Sequence, residues 1–175
     1  MSEQFAEVIV DVPSMQTNQP YTYAIPTEWI GQVFPGMRVI VPFGKRKILG
    51  FTTKILSKRP GVSFKIKEIE EVLDLTPVLN TEMLEMASWL AKWTFSFKIS
   101  CLQVMLPAAM RASYNKTIKL TSTDVSEEVK QLFDEQNEVK FDSKELSADV
   151  FKKLSKLSRE KKAEVIYQVD RKSVV

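Results

Sequence analysis

All eight prolines and all five glycines of this 175-residue chain lie within its first 107 residues. Proline removes a backbone donor and glycine loosens the chain, so that stretch must be short extended segments joined by turns. The remainder carries no such breaker and is free to run as helices. The join falls within "PAAMRASYN", residues 107–115, and predicts two domains, 1–108 and 109–175. A chain of this length accommodates two small domains.

Ala6 to Val12, Tyr21 to Ile25, Met37 to Phe43, Lys47 to Leu56 and Lys65 to Leu73 are rich in β-branched and aromatic residues and partly alternate, which predicts five strands. Pro35-Gly36 and Pro60-Gly61 are turn dipeptides. A helix follows, capped by Asn80, with Leu79 and Leu84 spaced as a hydrophobic staple and Leu84, Ala87, Leu90 and Ala91 as its apolar stripe. Trp89 and Trp93 share a face of it and are expected in the core or a domain interface, with a base-stacking platform as the alternative. The fold class is α+β: a small curved, mostly antiparallel sheet or partial barrel with a C-terminal helix, followed by a winged-helix domain.

The second domain is predicted as a strand (Lys116 to Thr121), a helix (Ser126 to Gln136), a short helix (Ser143 to Leu146), a helix (Asp149 to Glu160) and a strand (Ala163 to Val169). That order suits a winged helix. In its third helix Phe151, Leu154 and Leu157 form the buried face, and Lys152, Lys156 and Arg159 the exposed one. Such a face can meet DNA phosphates or simply be solvated.

Several functions are excluded. Histidine is absent, which removes Ser-His-Asp and Cys-His catalysis and the commonest zinc ligand. In "VPFGKRKILGF" a Walker loop needs glycine at Val39 and Ser or Thr at Arg46, so this is no ATP loop. The single cysteine, Cys101, forms no internal disulfide, and no apolar run approaches the roughly 18 residues of a membrane span. The N-terminus lacks the features of a secretory signal, so a cytoplasmic protein is expected.

Charge is unevenly placed. Between Trp29 and Lys67 lie nine basic residues and no acidic one, although the whole chain is only +3. A basic segment on a molecule that is otherwise net acidic favours a polyanionic partner. Lys45, Arg46 and Lys47 sit where a tight turn projects them, and Tyr21 and Tyr23 offer an aromatic surface for an unstacked base, unless both are buried. A basic edge strand guarding against aggregation remains the plain alternative. A small RNA-binding barrel also fits the basic strands.

Three blocks, "VIVDVPSMQTNQPYTYAIP", "PGMRVIVPFGKRKILGF" and "KIKEIEEVLDLTPVLNTEMLEMASWLAKW", together resemble the N-terminal region of the PriA family of bacterial replication restart helicases. The resemblance covers about residues 5–107; residues 109–175 agree in position with the family's winged-helix domain. It implies a DNA-binding module that holds the 3′ end of the nascent leading strand at a stalled fork, with the winged helix on branched DNA. The implied 3′-end pocket is Tyr21, Thr22, Tyr23, Gly44 and Lys67, with Lys45, Arg46 and Lys47 drawing in the backbone and Lys152, Lys156 and Arg159 as possible winged-helix contacts. Thr22 stands where some members have Asp, and lacks that carboxylate. The resemblance further implies a fragment without the motor. ATP, magnesium and zinc would then belong to the full-length helicase, and no cofactor to this part. Implied partners are forked DNA with a free 3′ end, single-stranded DNA-binding protein and primosome or helicase-loading proteins. A protein-interaction module docking primosome partners is the other reading.

Overall fold

In a computed structural model that describes residues 3–61, 65–107, 110, 115–141 and 146–168, the first strands form where β-branched residues alternate. They are β1 (Gln4–Val10), β2 (Tyr21–Ile25), β3 (Arg38–Phe43), β4 (Arg46–Leu56) and the short β5 (Glu71–Val72). They form one antiparallel sheet in the order β2-β1-β4-β3-β5. A register shift between Glu7 and Val8 bends β4 across β1.

The segment before β5 curls this sheet. The Ala24 N–H donates to the Lys67 carbonyl at 2.9 Å and the Ile69 N–H to the Ala24 carbonyl at 3.0 Å, while the Glu70 N–H donates to the Ile40 carbonyl at 2.9 Å. One residue step thus passes from β2 to β3. In a flat sheet these two strands, three spacings apart, are separated by about 14 Å. The sheet therefore folds round into a partial barrel, with β2 and β3 joined through this segment rather than by a ladder of their own. The strand predicted over Lys65 to Leu73 is cut to Glu71–Val72 because the segment exchanges one partner strand for the other.

Val8, Val10, Val39, Val41 and Phe51 fill the interior without measurable exposure; each such side chain contributes about 1.5–3 kcal/mol. Arg38 is also buried and meets Asp74: the guanidinium Nη2 lies 2.6 Å from Oδ1 and Nε 2.9 Å from Oδ2, and the Arg38 backbone N–H donates to Oδ2 at 2.8 Å. Asp74 thereby ties β3 to the chain that leads into the helices. At the Pro35-Gly36 turn Gly36 has φ +88, and a Cβ there would stand 1.8 Å from the Leu79 carbonyl oxygen. Only glycine lets these two backbones touch.

Helix α1 (Thr81–Thr94) starts as read: Asn80 Oδ1 accepts from the Met83 N–H at 2.8 Å, and Leu79, Leu84 and Ala87 are buried. It packs on α2 (Lys98–Val104), which packs on β1. Asn18 Oδ1 accepts the Lys98 N–H at the start of α2, and Gln103 Nε2 donates to Asp11, both at 2.8 Å. Trp89 and Trp93 are not in the core. The 3.6-residue period carries them, with Met86, to the far side from Leu84 and Ala87, where they are 58% and 68% exposed with ring centroids 5.8 Å apart.

The chain divides into two compact units, Met1–Leu106 and Pro107–Val175. In the second, β6 (Asn115–Leu120) lies between β7 (Glu138–Phe141) and β8 (Ala163–Gln168), antiparallel to both. Helix α3 spans only Glu127–Lys130, not the predicted Ser126 to Gln136. The Asp134 carboxylate accepts the N–H groups of Gln136 and Glu138 at 2.9 and 2.8 Å, and Asn137 takes φ 59, so the chain turns into β7. The short helix predicted from Ser143 falls, except for Leu146, outside the described residues. Helix α4 (Ala148–Arg159) is capped by Ser147 and buries Phe151, Leu154 and Leu157 as its spacing predicts. The whole is α+β, with a strand–helix–strand–helix–strand order in the second unit.

Candidate nucleic-acid interface

The stretch Val41 to Phe51 is a β-hairpin. Phe43 pairs with Arg46, leaving Gly44 and Lys45 as a two-residue loop. Gly44 has φ 61 while Lys45 is not in the positive region. Glycine first with positive φ there alone is the type II′ pattern, whose twist matches the strands it joins. A Cβ on Gly44 would meet nothing within 4 Å. Backbone conformation, not packing, therefore demands the glycine, and the space beside it is open.

The curl of the sheet brings β2 to this loop. Lys67 lies beside β2 through its carbonyl, and its exposed Nζ is 3.4 Å from the Gly44 carbonyl oxygen. The Tyr23 hydroxyl donates to the Pro42 carbonyl at 3.3 Å. The Tyr21 ring packs edge-on against Phe43, centroids 5.3 Å apart and planes at 81°. Four of the five residues proposed for the pocket thus converge on one loop from two separate segments. The fifth, Thr22, pairs with Glu7 of β1, and strand alternation turns its side chain to the face opposite the two tyrosines.

The two tyrosines differ. Tyr23 is only 4% exposed, and burial, reinforced by the neighbouring Tyr21 hydroxyl, pushes its pKa up to about 12. It is a neutral, bonded strut. Tyr21 is half-buried, and its hydroxyl donates to the Gln16 carbonyl at 3.0 Å. Nothing in the sequence singled out Phe43; the only signal was its place immediately before the hairpin loop.

Lys45 and Arg46 are exposed at the loop. Lys47 is exposed too, but its Nζ lies 2.6 Å from Glu70 Oε2, which raises the amine's pKa through a hydrogen bond and attraction. Its charge is thus partly answered within the protein. On α4, Lys152 and Lys156 are exposed, with Lys156 at 3.9 Å from Glu160, while Arg159 Nε donates to the Ser155 carbonyl at 3.3 Å. These three share the solvent side of α4 as read, on a face of mixed charge. Among the described residues no cluster of three or more His, Cys, Asp or Glu is placed to hold a metal ion, and no helix is long and apolar enough to cross a membrane.

A partial barrel with an exposed basic hairpin and an aromatic corner beside it is a class of surface that suits a nucleic acid. Residues 7–107 match the family model of the PriA 3′ DNA-binding domain, and the chain belongs to that family. It is similar to the replication restart protein PriA of Bacillus subtilis (strain 168), 48% identical over 132 residues, 75% of this chain and 16% of the relative. It is also similar to the replication restart protein PriA of Treponema pallidum (strain Nichols), 28% identical over 109 residues, 60% of this chain and 16% of the relative. The matched region is thus about a sixth of each relative's length.

Proposed function

We propose that this chain captures the free 3′ end of the nascent leading strand at a stalled replication fork, as the DNA-binding part of a larger ATP-dependent 3′-to-5′ helicase that starts primosome assembly. The observation that carries this is the convergence of Tyr21, Tyr23 and Lys67 on the Gly44 turn. A chain end differs from an internal nucleotide by a free hydroxyl and a missing phosphate. A short, walled site can therefore accept the end and reject a continuing strand.

In this proposal the Gly44 backbone bonds the end without reading its base, an aromatic ring stacks on the base, and Lys67 neutralises the last phosphate. Lys45 and Arg46 attract the backbone, with Lys47 contributing less because Glu70 holds it. Thr22 offers a hydroxyl in place of a carboxylate. The winged helix touches branched DNA through Lys152, Lys156 and Arg159. ATP, magnesium and zinc belong to the motor portion of the helicase, and the setting is cytoplasmic. Single-stranded DNA-binding protein and primosome or helicase-loading proteins are the proposed protein partners.

The test is a fork whose leading arm ends in a 3′-hydroxyl against the same fork ending in a 3′-phosphate. The hydroxyl arm is expected to bind about tenfold tighter, the scale of one unsatisfied polar group. Equal affinity overturns the end-capture mechanism.

A second reading has its own observation. Trp89, Trp93 and Met86 form an exposed apolar face on α1, and the C-cap residue Phe95 is 97% exposed. Such a face suits docking of a partner protein. Partner binding through it would persist as salt rises, whereas phosphate binding would fall steeply.

A further inference from the structure

We propose that Phe43 is a base-contacting residue of the end-binding site: with Tyr21 it forms the corner on which the terminal base stacks, and Tyr23 only positions that corner. The inference rests on the end-capture reading and assigns its stacking surface. Tyr23 has almost no surface to offer, since its ring is buried and its hydroxyl is bonded to Pro42, the residue before Phe43. Tyr21 and Phe43 are both half-buried and so keep part of each ring accessible.

Their mutual geometry leaves room for a base. In an edge-to-face pair at 81°, one ring presents an edge and the other one face; at least one face of each ring is left uncovered by its neighbour. Both rings are also fixed. Tyr21 is held at its hydroxyl by the Gln16 carbonyl, and the Phe43 ring packs against it at 5.3 Å. A ring held this way loses little freedom when a base lands on it. Phe43 further adjoins Gly44, so a base on the corner carries its sugar toward the loop backbone and the Lys67 amine. Stacking accepts any base, as a reader of ends requires.

The test places 2-aminopurine as the 3′-terminal base of the fork's leading arm. Wild-type protein is expected to quench it on binding, and Phe43→Leu, which keeps apolar bulk without a ring, to lose the quench and bind about tenfold more weakly. Phe43→Tyr is expected to restore both. A second measurement needs no variant: 5-iododeoxyuridine at the same position is photo-crosslinked to the 175-residue wild-type chain and the adduct mapped. Adducts on Phe43 or Tyr21 support the corner; adducts on Tyr23 alone overturn it. If wild type distinguishes hydroxyl from phosphate ends while Phe43→Leu quenches and binds as wild type, the stacking assignment falls and end capture stands. If wild type does not distinguish the ends, both fall.

Discussion

The two units place their charges differently. In the first, one ion pair is sealed inside: the Arg38 and Asp74 side chains are only 7% and 2% exposed, while Lys45, Arg46 and Lys67 stand exposed at or beside the hairpin loop. In the second, the lysines are answered at the surface, Lys153 by Glu128 at 3.3 Å, Lys156 by Glu160 at 3.9 Å and Lys162 by Asp124 at 3.3 Å. The helix that looks most like a DNA reader by its lysine spacing therefore carries two lysines, Lys153 and Lys156, already facing carboxylates. By count the second unit is the more basic, with 14 of the 25 Lys and Arg residues against 11 in the first; following the amines to their nearest carboxylates qualifies that ranking.

The largest expected effect tests the sealed pair against the surface pairs. Asp74→Asn removes the carboxylate facing the Arg38 guanidinium and leaves a buried charge poorly compensated, at a cost of about 3–5 kcal/mol. Glu128→Ala in the second unit removes an acceptor from an exposed pair and costs about 0–1 kcal/mol. Urea denaturation of each variant checks this. Near-equal losses would erase the distinction between the units.

The same contrast shows what the sequence makes legible. The Pro35-Gly36 turn, the Asn80 cap and the Leu84–Ala87 and Phe151–Leu154–Leu157 stripes are local patterns, and each stands where its spacing put it. The misses have different causes. No periodicity tells that the chain after Lys65 serves two strands in turn, so its strand was read too long. Asp134 halts a helix through side-chain bonds that compete with the backbone ladder. Trp89 and Trp93 were expected in the core or a domain interface because large aromatics dominate packing, whereas they lie on the side of α1 away from the buried Leu84 and Ala87. Of the residues the resemblance names, Tyr21, Tyr23, Gly44 and Lys67 lie near one another; the burial that separates Tyr23 from Tyr21, and the ring contact of Phe43, exist only once the sheet has curled.

A smaller effect probes that division. Tyr23 has its pKa raised above the usual 10.0 to about 12, so the folded state holds the phenolic proton more tightly than the unfolded chain. The stability this supplies is fully present below pH 10 and is lost as pH rises towards about 12. Tyr23→Phe should cost about 1 kcal/mol at neutral pH through the lost bond to Pro42 and should flatten the fall between pH 10 and 12 relative to wild type. Guanidinium denaturation across that range measures both. An unchanged slope would mean that the Tyr23 hydroxyl is not sealed against the end of β3, and the strut beneath the aromatic corner would be lost.

The smallest effect returns to the charges themselves. Lys45 and Arg46 stand exposed on the hairpin loop, so each phosphate they meet releases condensed counterions on binding. The double variant Lys45→Ala, Arg46→Ala should reduce the slope of log affinity against log salt by about 1.4–1.8, while leaving the preference for a hydroxyl end in place. Lys152→Ala with Lys156→Ala should change the slope by less than half as much, because Glu160 already offsets part of that charge. Fork titrations at several salt concentrations make the comparison directly. A larger slope change from the α4 pair would put the main phosphate contacts on the second unit, and the gathering of basic residues around Gly44 would then serve the hairpin's solubility rather than its grip on DNA.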